Sequence, residues 1–215
     1  MDSTGNRSWK DMTPDQKKQY FMDYYLVKTL IGIAAVLFVI YVAVTVTRPK
    51  TVYALRMGVY NASLSSETKE AIVYHVQKTL SSAGAVEIDD QYNASTDADL
   101  MRIAALSASG KLDVIIADRE IFEWLAGYGY FKDLSISFSR EFYSSHEADI
   151  VVCNGLLTGE GGMLLEDSEG NGDPYAAGIR LTDPQYLTWF SDMKEPVLGI
   201  IYESDCTEKI ETLLK

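Results

Sequence analysis

The acidic composition of this chain limits the partners it can bind. The chain has 215 residues, 47% hydrophobic and 23% charged, with a formal net charge of −12 at pH 7. This excess of acidic groups argues against binding to nucleic acid or to anionic lipid headgroups. The charge is also uneven, because residues 1–50 carry a net charge of +3 and residues 51–215 carry −15.

The basic head contains a clear helix start. Thr13-Pro14-Asp15 combines a capping residue with proline at the first helical position. Lys17 and Lys18, with the aromatic residues that follow, predict a helix at the membrane interface. We therefore expect residues 1–25 to be a cytoplasmic head that ends in an interfacial helix.

An uncharged apolar run follows at residues 29–46. With residues 26–28 it predicts a helix roughly 31 Å long, which matches the ~30 Å hydrocarbon core of a bilayer. A buried core helix is one alternative, but this run is apolar on nearly every side. A cleaved signal peptide is another, but its apolar region is shorter, about 7–15 residues. We expect a transmembrane helix at residues 26–47, with the lipid bilayer as its partner.

The charges beside this helix decide its orientation only weakly. Four basic residues precede it and three follow it: Lys10, Lys17, Lys18 and Lys28, then Arg48, Lys50 and Arg56. A short basic head, one apolar segment and a long body are together typical of a signal-anchor protein. We expect a single-pass cell-membrane protein with a cytoplasmic N-terminus and an extracytoplasmic domain at residues 51–215.

The first half of this domain alternates strand and helix patterns. Strands are predicted at residues 52–60, 85–88 and 112–117, and the helices after them begin at Ser65 or Ser66, at Thr96 and at Asp118. The third strand is almost continuously apolar, as in a parallel sheet covered on both faces. Three β-then-α units predict one α/β domain with a mainly parallel sheet and helices on both faces.

The pattern changes after Phe131. A strand is predicted at residues 149–153, and residues 163–166 with 175–181 resemble a hairpin around a Gly- and Asp-rich loop. Asp183-Pro184 opens a short helix, residues 197–202 form another strand, and Ser204 is the expected cap of a last helix.

Part of the domain resembles a known family. Gly110-Lys-Leu-Asp113 follows a helix and precedes a buried strand, and Gly129-Tyr-Phe-Lys-Asp-Leu134 follows the next helix. These phrases resemble the first lobe of extracellular solute-binding proteins of the type II periplasmic-binding-protein fold. The similarity covers residues 52–134 and extends to the strand and helix from Val197, while residues 135–195 are too few for a full second lobe. The resemblance implies a binding module, with a membrane transporter or another membrane protein as a candidate partner.

Polar residues follow the three predicted parallel strands at their carboxyl ends, where open α/β sheets bind ligands. A helix N-terminus follows each of them and is suited to an anion. Helix capping alone is the alternative explanation, because Asn, Ser and Asp are also the preferred caps. The candidate ligand-binding residues are Asn61, Ser63, Asn93, Ser95, Asp118, Arg119 and Glu120.

The loop from Asp167 to Asp173 resembles the start of a calcium-binding loop. Its twelfth position is Gly178, so the bidentate glutamate that such loops need is missing. An acidic hairpin tip is the favoured interpretation, and we expect neither a metal site nor a cofactor.

The sequence gives little support for catalysis. Cys153 with either His75 or His146 is a candidate thiol nucleophile pair, but no local signature, nucleophile elbow or P-loop accompanies it. Cys153 and Cys206 are candidates for a disulfide in an exported domain, the alternative being two buried thiols.

Three hypotheses follow from the sequence. The leading one is a non-catalytic, membrane-anchored module that binds an unidentified small molecule or a protein, with a transporter as candidate partner. The second is a structural or accessory subunit of a membrane complex that has no small-molecule ligand. The third is a hydrolase that uses Cys153 or a serine.

Overall fold

A computed structural model describes residues 13–24, 26–47, 51–92, 97–157 and 168–215. The chain divides into two compact units, residues 1–50 and residues 51–215.

Within its described residues, the first unit contains two helices, α1 (Pro14–Tyr24) and α2 (Leu26–Thr47). The start of α1 at Pro14 confirms the predicted helix start. Within α2, the stretch from Lys28 to Thr45 is long and apolar enough to cross a membrane, and none of it is buried. Among the described residues α2 is the one helix with these properties. It is compatible with a single-pass membrane anchor and also with a signal sequence.

The second unit is built on one sheet of six strands with helices packed around it. The strands are β1 (Tyr53–Tyr60), β2 (Ala85–Tyr92), β3 (Val114–Asp118), β4 (Ile150–Asn154), β5 (Pro174–Arg180) and β6 (Pro196–Ile200). The helices are α3 (Ser66–Thr79), α4 (Asp97–Ala108), α5 (Arg119–Gly127), α6 (Leu134–Ser137), α7 (Arg140–Ser145), α8 (Pro184–Trp189) and α9 (Thr207–Leu213). The strand order is β2-β1-β3-β6-β5-β4.

The prediction of a mainly parallel sheet is wrong for the half of the sheet that β4, β5 and β6 form. β1 pairs parallel with β2 and β3, whereas β6 pairs antiparallel with β3 and β5, and β4 pairs antiparallel with β5. A parallel neighbour needs a connection that carries the chain back to the other end of the sheet, whereas an antiparallel neighbour starts at the end where the previous strand stops. α8 has six residues, and the chain after it returns directly beside β5 as β6. The sheet is therefore mixed, and the α/β class is confirmed.

Helices cover both faces of the sheet, as predicted. On one face, α3 and α9 pack through Ile72, Val76 and Ile210 against Leu55 and Ile116. The opposite face carries a second core cluster. There α4 and α5 pack through Ile103, Phe122 and Leu125 against Ile115 and Val197. Strand residues alternate between these two clusters, as a pleated sheet buried on both sides requires.

The helix caps agree with the sequence in two cases. Ser65 accepts a hydrogen bond from the Thr68 N–H and begins α3, and Asp118 accepts one from the Arg119 N–H and begins α5. The prediction for Ser204 is wrong, because α9 follows Cys206 and the Ser204 hydroxyl donates to Asp113 Oδ1 at 2.8 Å. Thr96 and residues 163–166 lie outside the described residues.

The disulfide between Cys153 and Cys206 is not formed. Both thiols are free and buried. Cys153 belongs to the core cluster of Phe122, and Cys206 belongs to the cluster of Ile210 on the other face of the sheet. The sheet separates the two sulfur atoms, so they do not meet.

Candidate functional site

The carboxyl ends of β1 and β2 open into a broad depression at one edge of the sheet. Its volume is about 620 Å³, and it is lined by Asn61, Ala62, Ser63, Asp90, Gln91 and Tyr92. Asn61 and Ser63 are predicted ligand residues, and the structure brings them together. Because β1 and β2 are parallel, their ends meet at this edge, where open α/β sheets bind ligands.

Asn61 turns the chain immediately after β1. Its backbone has a φ of 50°, in the left-handed region, which asparagine tolerates better than most residues. Its N–H donates to the Tyr92 carbonyl oxygen at 3.0 Å, so the turn is attached to the end of β2. The Asn61 side chain is exposed at the mouth of the depression.

Asp90 is the best-anchored acidic group of the depression. Its Oδ2 accepts a hydrogen bond from the Leu64 N–H at 2.9 Å and lies 2.8 Å from Lys69 Nζ. Burial alone would raise the pKa of Asp90, but the Lys69 ammonium and the Leu64 N–H outweigh it and lower that pKa below its ordinary value. The carboxylate therefore fixes the segment between β1 and α3 against β2.

Tyr92 lines the depression, and the buried Tyr60 packs against its ring. The rings of Tyr60 and Tyr92 are stacked, with centroids 4.9 Å apart. Neither hydroxyl has a hydrogen-bond partner among the described residues. Burial, with smaller contributions from nearby acidic groups, raises the pKa of Tyr60 and raises the pKa of Tyr92 to about 12. Both phenols are therefore protonated at neutral pH.

Asp118, Arg119 and Glu120 follow β3 but do not line the depression. Asp118 Oδ1 accepts hydrogen bonds from the N–H groups of Arg119 and Glu195. The Arg119 guanidinium lies 2.8 Å from Glu123 and 3.7 Å from Glu195, and Glu120 is exposed. Asp118 and Arg119 are therefore engaged in capping and ion pairing, as in the alternative interpretation of the sequence.

The other predicted ligand residues, Asn93 and Ser95, lie outside the described residues. The structure adds Asp90, Gln91 and Tyr92, which sequence reasoning missed because it ended β2 at Ile88. Val86, Ile88 and Asp90 alternate with more exposed residues, and this alternation could have predicted a longer strand. Two adjacent aspartates, however, are more typical of a loop.

The described residues do not assemble the predicted thiol pair. His75 packs against Tyr186 and Trp189, and His146 packs against Phe142, while Cys153 contacts neither. Burial raises the pKa of the Cys153 thiol to about 11, so it is a poor nucleophile at neutral pH.

Within the described residues, no three His, Cys, Asp or Glu side chains are placed so that they could hold a metal ion. The described part of the Gly- and Asp-rich loop packs on α5, where the Gly170 N–H donates to the Gly127 carbonyl oxygen at 3.1 Å. Asp167, the first residue of that loop, lies outside the described residues.

No family model, curated protein or solved structure matches the chain.

Proposed function

We propose that this protein is a single-pass membrane-anchored binding module whose extracytoplasmic domain takes a small polar ligand at the carboxyl ends of β1 and β2. The observation that carries the proposal is the depression lined by Asn61, Ser63, Asp90 and Gln91. It lies beyond the carboxyl ends of two parallel strands, the side on which open α/β sheets bind ligands, while the switch point of the strand order lies next to it, between β1 and β3. The resemblance to one lobe of a solute-binding protein supports the same function.

The depression and the point where the chain enters β1 lie at opposite ends of that strand. β1 begins at Tyr53, whereas the depression lies beyond Tyr60 at the carboxyl end.

The chemistry of the lining favours a neutral polar ligand or one with hydrogen-bond donors. The amides of Asn61 and Gln91 donate and accept hydrogen bonds, as does the Ser63 hydroxyl. Asp90 is ionised, and its oxygen atoms accept hydrogen bonds only. Lys69 already neutralises the charge of Asp90, so a highly charged ligand gains little binding free energy in the depression.

The test is ligand-dependent melting of the full-length protein in nanodiscs, screened against sugars, short peptides and small anions. A ligand that binds the folded protein raises its melting temperature in proportion to ln(1 + [L]/Kd). We expect at least one class to raise it, and Gln91→Ala or Asn61→Gly to remove the rise. Asn61→Gly keeps the left-handed turn and deletes only the side chain.

Ser109→Ala is the control, because Ser109 follows α4 at the amino edge of the sheet. It should keep the full rise. If no compound raises the melting temperature, the binding proposal fails and the accessory-subunit alternative is favoured. A rise that persists in Asn61→Gly and Gln91→Ala places the ligand elsewhere and contradicts the proposed site.

A further inference from the structure

A second, more enclosed cavity lies beneath α4, on the other side of the Tyr92 ring from the depression. Its volume is about 170 Å³, and its lining includes Arg56 of β1, Glu87 and Asp89 of β2, Arg102 of α4, and Lys111. A cavity of about 150 Å³ in a protein core holds benzene, so this space accommodates a molecule of several heavy atoms. Five of the residues that line it are charged, so it is not an ordinary packing defect of the core.

Gly58 of β1 lies beneath two side chains that line the cavity, Tyr92 and Leu112. Arg56 and Gly58 lie on the same face of β1, since side chains alternate along a strand. A Cβ atom at Gly58 would lie 3.1 Å from Tyr92 Cε2 and 3.3 Å from Leu112 Cδ1. The missing side chain lets the Tyr92 ring and the Leu112 side chain, which both line the cavity, lie close to the strand.

Arg102 is held in a fixed orientation at one side of the cavity. Its guanidinium carbon lies 4.6 Å from the centroid of the Tyr92 ring, and its Nη2 forms an ion pair with Asp89. The Nε and Nη1 groups of Arg102 have no acceptor among the described residues. A planar guanidinium that is already ordered binds carboxylate or phosphate with little further loss of side-chain entropy.

The charge of the lining differs from that of the domain around it. Residues 51–215 contain twelve basic residues and carry a net charge of −15, yet three of those basic residues line this one cavity. Glu87 and Asp89 are the acidic groups of the lining, so its formal charge is +1. The Lys111 ammonium forms no ion pair with the described residues, and it is the cation most available to a ligand.

Arg56 is the third cation, and its orientation is also fixed. Its Nε lies 3.3 Å from Asp113 Oδ2, which also accepts the Arg56 backbone N–H at 2.8 Å. Asp113 does not line the cavity, so it holds the Arg56 guanidinium from the side away from the cavity. Two oriented guanidinium groups and the unpaired ammonium of the exposed Lys111 therefore belong to the lining of a space large enough for a small ligand.

We propose that this cavity binds a small oxyanion, the carboxylate or phosphate group of a compact metabolite, through Arg102, Lys111 and Arg56. The site is separate from the depression at the carboxyl edge and does not depend on a ligand binding there. Tyr92 belongs to both linings, and its ring is the wall between them.

The probes are sodium acetate and inorganic phosphate, compared with sodium chloride at matched ionic strength, on the full-length protein in nanodiscs. We expect one or both oxyanions to raise the melting temperature above the chloride value. A rise that Lys111→Gln removes assigns a carboxylate ligand if acetate causes it and a phosphate ligand if phosphate causes it. A rise that persists in Lys111→Gln is the general stabilisation by an excluded salt and contradicts the proposal. No rise with either one contradicts the proposal.

Variants show which residues cause the rise in melting temperature. Lys111→Gln should remove most of the rise, and Arg102→Lys, which keeps the charge and loses the planar fork, should reduce it. Lys194→Gln removes an exposed charge outside the cavity and should keep the rise. Equal losses in Lys111→Gln and Lys194→Gln would show general charge screening and overturn the proposal. Loss in Asn61→Gly with retention in Lys111→Gln would place the oxyanion in the depression and overturn it as well.

Discussion

At the scale of single residues, Asp90 shows how the edge of the sheet is held together. One carboxylate oxygen fixes both the Leu64 backbone and the Lys69 side chain, so the end of β2 determines where α3 begins. The Asp90 side chain is only 10% exposed. Through these two contacts Asp90 stabilises the shape of the depression, and it also lines it.

Replacing Asp90 with asparagine should destabilise the protein by about 1–2 kcal/mol at pH 7, because a charge-assisted hydrogen bond is exchanged for a neutral one. The folded-state pKa of Asp90 lies below the ordinary value of 3.8, so its contribution is present above that value. The difference between wild type and Asp90→Asn should therefore vanish as the pH falls through the folded-state pKa.

Chemical denaturation across this pH range measures the effect. Asp192→Asn is the matched control, because Asp192 is exposed and has no partner among the described residues. It should change the free energy of unfolding little at any pH. A constant difference between wild type and Asp90→Asn at all pH values would contradict the assigned role of the carboxylate.

At the scale of elements, two glycines decide how α5 and the segment after it pack on the sheet. The rings of Phe122 and Phe131 are stacked, with centroids 4.4 Å apart. Gly178 of β5 and Gly199 of β6 face this stack, and a Cβ atom at either position would lie within 2.6 Å of a ring carbon. The aromatic pair fits because the sheet has no side chains there.

Gly178→Ala should therefore destabilise the protein by roughly 1–3 kcal/mol, the usual cost of overpacking a core. The new Cβ atom would lie 2.4 Å from Phe122 Cζ, so the ring must move. Thermal or chemical unfolding measures the loss. Combining Gly178→Ala with Phe122→Leu should cost less than the sum of the two single changes, because the same contact is affected twice. Strict additivity would contradict this packing.

The elements also show which features the sequence could predict. The β-then-α order of β1 to β3 and the caps at Ser65 and Asp118 follow from local patterns, and the structure confirms them. The position of β6 between β3 and β5 does not follow, because a short apolar strand looks the same in a parallel and an antiparallel pair. The sequence also did not place Asp90 in β2. This strand lies at the edge of the sheet and tolerates polar residues, so its polar end does not look like a strand.

At the scale of the whole molecule, an exposed apolar helix and an acidic globular unit share one chain. None of the stretch from Lys28 to Thr45 is buried, so its apolar side chains lack a protein environment and are suited to a bilayer. The domain has its own core clusters on both faces of the sheet. The proposed binding function depends on both parts, the apolar helix as an anchor and the folded domain as the binding module.

The most direct test of this account is the sidedness of the domain in intact cells. Cys153 and Cys206 are 6% and 2% exposed, so they should react little with a membrane-impermeant maleimide. A cysteine introduced as Ile136→Cys replaces a side chain that is 83% exposed, and Ser3→Cys places one in the basic head. The account predicts labelling of Ile136→Cys in intact cells and labelling of Ser3→Cys only after lysis. Protection of Ile136→Cys until lysis would contradict an extracytoplasmic binding module.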